Sequence, residues 1–268
     1  MLRYLMLFSC CVLTACGAPT PTSDPLPEDD GGFYHIQLLV DDQHPLNTEL
    51  DVDMYDIDLF DSSPELIAAL QARGVEVICY FSAGSYENWR DDADDFPSAA
   101  LGNDMDGWPG EKWLDISNTD LQDVMAARLD LAAEKGCDGV DPDNVDGYSN
   151  NTGFTLTAAD QLAYNRWLAD QAHARGLTIG LKNDLGQITD LVADFDFAVN
   201  EECFAYDECD LLSPFVLADK PVLHIEYGSE FYYPGPERDA LCAQSSELGL
   251  QTLIMPDDLD GSFRIRCP

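Results

Sequence analysis

Basic residues are scarce in this chain. Thirteen lysines and arginines stand against 51 aspartates and glutamates in 268 residues, a formal net charge of −38. Such a balance repels the phosphate backbone of DNA or RNA and draws cations in. It fits a polycationic partner, and it fits solubility in salt water equally well. Sequence signatures are missing too. No GxGxxG or Walker sequence follows a strand-like run, which argues against a nucleotide cofactor. No GxSxG is present for serine chemistry. The four histidines, His35, His44, His173 and His224, show no HExxH spacing, so no catalytic zinc is implied. No CxxC occurs after Cys16, and no later apolar run is long enough to span a bilayer. No metal or cofactor is expected.

The N-terminus holds the one strongly apolar run, MLRYLMLFSCCVLTAC. Arg3 and the stretch 4–12 read as a secretory signal, and Leu13-Thr14-Ala15-Cys16 resembles a lipobox that would make Cys16 the lipidated first residue. An ordinary signal peptide is the alternative. Several acyl chains on Cys16 would anchor the protein stably. Gly17, by resemblance to lipoprotein sorting, favours the outer membrane, with secretion as the other expectation. Residues 16–32 offer almost nothing to bury and read as a tether, leaving 1–15 as signal and 33–268 as one domain. Six cysteines then remain, an even number suited to disulfides in an exported chain. The expected pairs are Cys203–Cys209 as a short loop, Cys242–Cys267 as a tail staple, and Cys79–Cys137 across neighbouring strands.

Along the rest of the chain, eight β-type runs alternate with helical patterns: 35–40, 55–60, 75–82, 139–144, 178–184, 197–201, 221–227 and 252–256. Helices are clearest at 64–73, 119–135 and 157–175, each stopped by a glycine (Gly74, Gly136, Gly176). Thr119 with Gln122 reads as a good capping box and Thr157 with Asp160 as a looser one. This alternation predicts an α/β fold, a single (β/α)8 TIM barrel, with a doubly wound sheet as runner-up. The segment 83–116, carrying Tyr86, Trp89, Trp108 and Trp113, is expected to be a loop over the barrel mouth.

Polar residues gather at the strands' C-terminal ends: Asp58, Tyr80, Ser82, Asp141, Asp143, Lys182, Asp184, Glu201, Glu226 and Asp257. A barrel offers its reacting groups from that end. The densest stretch, CDGVDPDNVDGY (137–148), fails as a calcium loop because Val145 and Thr152 stand where oxygen ligands belong. Paired carboxylates remain. Glycoside hydrolysis needs two, one to give a proton to the leaving oxygen and one to act at the anomeric carbon. Asp143 and Glu201 end the fourth and sixth strands, with Lys182 on the strand between them to hold one ionised. The plain readings are a capped strand end for Asp143, a solvated loop for Glu201, an ion pair for Lys182, and an acceptor of backbone hydrogen bonds for Asp141.

The motifs VICYFSAGSYENWR (77–90), WPGEKWLDI (108–116), KGCDGVDPDNVDGY (135–148), GLKND (180–184) and FAVNEECF (197–204), in this order, resemble glycoside hydrolase family 114. The likeness covers nearly the whole chain from Phe33 to Cys267. It implies a (β/α)8 barrel and an endo-α-1,4-polygalactosaminidase with Asp143 and Glu201 as the catalytic acids. Where some relatives read EPDN this chain has Asp141. The resemblance further implies a cationic amino-sugar polysaccharide as partner. Asp58, Asp184 and Glu226 would pair with ammonium groups, aromatics such as Trp108 and Tyr148 would stack on sugars, and Tyr80, Asp141 and Lys182 would complete the binding set. It inclines toward retention, with Asp143 as nucleophile and Glu201 as acid/base by position. A monomer, anchored only through lipid, is expected. The alternatives are hydrolysis of another amino-sugar polymer and a non-catalytic carbohydrate-binding surface protein.

Overall fold

The computed structural model describes residues 31–268. The signal, the lipobox Cys16 and nearly all of the tether lie outside the described residues. Eight parallel strands follow one another in chain order: β1 (Gly32–Gln37), β2 (Val52–Asp58), β3 (Glu76–Ser82), β7 (Gly139–Asp143), β8 (Thr178–Lys182), β9 (Phe197–Glu201), β10 (Val222–Glu226) and β11 (Gln251–Ile254). Strand order never reverses, so there is no switch point and the doubly wound alternative is excluded. At the seam, β12 (Ile265–Arg266) runs antiparallel to β11. Leu38 N–H donates to the Leu259 carbonyl at 3.1 Å, and Arg264 Nη2 donates to the Tyr34 carbonyl at 2.5 Å. The C-terminal tail thus draws the eight strands into a nearly closed barrel.

Side-chain alternation fills the interior with Ile36, Met54, Ile78, Phe197, Val199, Leu223, Ile225 and Leu253, while a second apolar layer lies between strands and helices. The outer helices are α1 (Pro64–Gln71), α2 (Leu121–Lys135), α3 (Ala158–Ala174), α4 (Ile188–Leu191), α5 (Ser213–Leu217) and α6 (Pro236–Leu248). The capping expectations reverse. Thr157 and Asp160 form the full reciprocal box on α3, whereas Thr119 makes none. Asn118 Oδ1 already accepts from Asp120 N–H at 3.0 Å, so Thr119 sits inside a turn and its hydroxyl is not at the cap. Gly136 ends α2 in the left-handed region at φ 87°, a conformation that costs a residue with a Cβ.

The expected loop over 83–116 is instead a small antiparallel sheet of β4 (Ser85–Glu87), β5 (Leu101–Asp104) and β6 (Glu111–Leu114), in the order β4-β6-β5. Strands of three and four residues are too short to show alternation. The fully buried Arg128 of α2 ties this insertion down, donating to the Ser82 carbonyl at 2.7 Å and pairing with Asp92 at 2.8 Å. All three expected disulfides are present: Cys79–Cys137, Cys203–Cys209 and Cys242–Cys267.

Candidate active site

A cleft of about 900 Å³ opens at the C-terminal end of the barrel. Three neighbouring strands end there in the same way. The last inward side chains, Asp143, Lys182 and Glu201, are each followed by a residue in the left-handed region: Asn144 (φ 62°), Asn183 (φ 51°) and Glu202 (φ 59°). These turns break the strand path right after the polar side chain. Non-glycine residues held there mark strain that the surrounding hydrogen bonds must support.

Each carboxylate has its own donors. Asp143 Oδ2 accepts from the Tyr80 hydroxyl at 2.9 Å and Oδ1 from the Asn144 amide at 2.8 Å. Glu201 Oε1 accepts from the Tyr227 hydroxyl at 2.5 Å and Oε2 from Asn183 Nδ2 at 3.1 Å. Asn183 is fixed in turn, its carbonyl oxygen accepting from Glu201 N–H at 2.9 Å and from Asn200 Nδ2 at 3.2 Å. Beneath them Lys182 Nζ lies 3.2 Å from Asp141 and 3.8 Å from Asp143. Burial works against the Lys182 charge, but Asp141, Asp143 and Glu201 outweigh it and keep the ammonium protonated. Burial likewise pushes Glu201 up, yet Lys182, Tyr227 and Asn183 together hold it below the usual glutamate range. Burial and the adjacent carboxylates raise the Tyr80 and Tyr227 hydroxyls, so both remain donors.

Of the residues expected to bind substrate, the structure brings Tyr80, Lys182, Asp184, Trp108 and Tyr148 to the cleft wall. Asp58 also borders it but is already engaged, held by Arg90 through Nη1–Oδ1 at 3.0 Å and Nη2–Oδ2 at 2.6 Å and accepting from two backbone amides. Asp141 is fully buried under the floor, and its partner is the Lys182 ammonium rather than backbone amides. Glu226 is also fully buried, away from the lining, bonded to His224 Nε2 at 3.0 Å and to the Phe204 amide at 2.8 Å. Leu223 and Ile225 of β10 face the barrel interior, so Tyr227 points into the cleft and Glu226 points out. Sequence reading chose the wrong member of that adjacent pair.

Beside the expected Asp184, the cleft holds acids that the sequence reading passed over, Asp146 and Glu111 among them. Asp146 is raised to about 6 by burial and by Asp143, and Asp184 to about 8 by burial and by Asp146. Asn165 of α3 reaches Asp184 Oδ2 at 2.9 Å and so fixes this wall to the helix layer. Glu111 of β6 is raised to about 7 by burial while accepting from Ser85 Oγ at 2.8 Å. Trp89 and Trp108, each 52% exposed, also line the cleft, carried by the insertion. Cys203, Cys209 and His224 bring ligand-type atoms within 4.8 Å of one another, but the disulfide engages both sulfurs.

A parallel barrel with two hydrogen-bonded carboxylates at its mouth, in an open acidic cleft rimmed by aromatics, has the architecture of a glycoside hydrolase. Residues 16–267 match glycoside-hydrolase family GH114, and the chain belongs to that family. It is similar to Ega3 of Aspergillus fumigatus, whose crystal structure is a complex with galactosamine, at 43% identity and a TM-score of 0.80 over 89% of this chain and 96% of that one. The glycoside hydrolase domain of PelA from Pseudomonas aeruginosa superposes with a TM-score of 0.62 at 14% identity, over 87% and 96% of the two chains. Trehalulose synthase MutB from Pseudomonas mesoacidophila reaches a TM-score of 0.60 at 11% identity, over 84% and 64%. These last two share the fold alone. No protein of curated function matches the sequence. The protein is thus a glycoside hydrolase of endo-α-1,4-polygalactosaminidase type.

Proposed function

We propose that this enzyme cuts internal α-1,4 bonds of galactosamine-containing exopolysaccharide, using Asp143 and Glu201 as its reacting pair with retention of configuration. The supporting observation is their placement. Two carboxylates from the fourth and sixth barrel strands flank one buried lysine, each with a tyrosine hydroxyl to orient it. Asp143 attacks the anomeric carbon from the face opposite the leaving oxygen. The C1–O bond breaks as Glu201 gives its proton to that oxygen. Glu201 then takes a proton from water, whose oxygen displaces Asp143 from the glycosyl ester. Asp146, Asp184 and Glu202 line the cleft with acids whose protons are held up by burial and by neighbouring carboxylates. An ammonium group of the substrate would draw them into the ionised form.

One observation favours the exchanged assignment. Glu201, with two side-chain donors and the field of Lys182, is held ionised in the free enzyme, as a nucleophile must be. Azide rescue of the two alanine variants decides between them. The nucleophile's variant yields the β-azide from an α-linked substrate, and the acid/base variant yields the α-azide. The substrate is tested with partly deacetylated α-1,4-galactosamine polymer and chitosan side by side, with released oligosaccharides read by mass spectrometry. Cleavage of chitosan alone would shift the function to another amino sugar, and binding without release would leave a carbohydrate-binding protein. We also propose that the enzyme works at the cell envelope on a lipidated Cys16, as the lipobox and tether composition suggest. Cys16→Ser should move it from the membrane to the soluble fraction with full activity, and retention in the membrane would refute the lipid anchor.

A further inference from the structure

Asp56 of β2 points inward between Met54 and Asp58, one layer beneath the cleft floor, and is fully buried. Neither of its oxygens meets a protein N–H or O–H group, and Oδ1 of the equally buried Asp141 is in the same condition. The two carboxyl groups, on strands separated only by β3, lie within hydrogen-bonding reach of each other inside the barrel. Two carboxylates cannot share such a contact, because each is acceptor-only, whereas an acid and a carboxylate can. Among the described residues the ammonium nearby is that of Lys182, whose Nζ bonds to Asp141 Oδ2 and stands 3.8 Å from Asp143.

We propose that Asp56 is a neutral carboxylic acid that donates its proton to Asp141 and so positions Lys182 between Asp141 and the reacting pair. This rests on the assignment of Asp143 and Glu201 above. The charged and titratable groups facing Asp56 are Tyr34 of β1, Asp141 and Asp143 of β7, Lys182 of β8 and, more distantly, Glu201 of β9. One buried cation serves four carboxyl groups here. If Asp56 were ionised, the layer would bury an excess negative charge and draw Lys182 down, away from Asp143 and Glu201. With Asp56 neutral, Asp141 balances the lysine from below, and the remaining field falls on the two acids above. Burial is the first cause of the raised Asp56 pKa, with the Asp141 charge and hydrogen bond second. Asp56 is therefore a positioning residue, not a catalytic one.

Three readouts on the full enzyme test this. Infrared difference spectra of wild type against Asp56→Asn at neutral pH should show the carbonyl stretch of a protonated carboxylic acid disappearing. A raised folded pKa means that wild type must take up a proton on folding at any pH between 3.8 and the folded value, at a cost that grows with pH. The Tm of Asp56→Asn relative to wild type should therefore climb from pH 4 toward pH 8. Finally, Asp56→Leu removes the donor to Asp141, lowers kcat more than about tenfold, and moves the Glu201 limb of the kcat/KM profile to higher pH, while Asp56→Asn restores most of both. A merely structural role would lower Tm and kcat without moving that limb. An unchanged carbonyl region, a Tm difference that does not rise with pH, or an unmoved limb in a folded Asp56→Leu would each overturn the proposal. The first two readouts need no turnover, so they separate this inference from a failure of the proposed reaction.

Discussion

Glu201 and Tyr227 form the contact on which the pH response turns. A hydrogen bond to an ionised group is worth about 1.5–3 kcal/mol, and one pH unit corresponds to about 1.4 kcal/mol. Tyr227→Phe removes a donor from the ionised form, so the pKa of Glu201 should rise by about one unit. If Glu201 is the proton donor, kcat/KM falls as pH rises through that pKa, and Tyr227→Phe carries the fall to higher pH. A pH profile that stays in place would take Glu201 out of the proton-transfer role. At this scale the sequence showed much of the site. Asp143, Glu201 and Lys182 end strands whose alternation is plain, and the structure places them together. Tyr227 was missed because Glu226 stands beside it and strand parity, not residue type, decides which faces the cleft. Asp56 was missed because β2 reads VDMYDID, and nothing in that run of aspartates shows which one turns inward toward Asp141 on the next strand but one.

Among the elements, the barrel strands were legible as short apolar runs, three of them followed by a clear helix pattern. The insertion was not. Its strands are too short for periodicity, and what fixes them is distant, namely Arg128 on α2 and the Leu114 amide donating to the Gly84 carbonyl at 3.0 Å. This small sheet and its loops carry Trp89 and Trp108 to the cleft lining, and neither is hydrogen-bonded to Asp143 or Glu201, so they are assigned to sugars that do not react. Trp108→Ala and Trp89→Ala should then raise KM for polymer with little change in kcat, the mark of lost uniform binding. Loss of an aromatic contact worth about 1 kcal/mol corresponds to roughly fivefold in KM. An equal fall in kcat for polymer and for short oligomers would instead show that the insertion shapes the reacting centre. On the opposite side, the Cys203–Cys209 disulfide closes the short loop after Glu201 that carries Glu202, Tyr206 and Glu208 to the cleft. Replacing both cysteines by serine should cost activity before it costs the fold, checked by kcat/KM alongside Tm.

The whole molecule carries a formal charge of −38, and acids line the cleft, as the proposed cationic polymer would require. Charges more than about 10 Å apart are largely screened in about 0.1 M salt. Activity on deacetylated polymer should therefore decline with added salt much more than activity on a neutral, acetylated chain. Equal responses would mean that the acid excess serves solubility alone. Composition could not make that choice, because net charge says nothing about where the charge lies. The most direct measurement compares wild type, Asp143→Asn and Glu201→Gln on one α-1,4-galactosamine oligosaccharide, with turnover followed by mass spectrometry and binding and Tm measured on the same samples. Wild type should release shorter oligosaccharides. Each amide variant should stay folded, still bind, and lose about 100-fold or more of its turnover. No release by wild type, or near-normal turnover in both variants, would contradict the account.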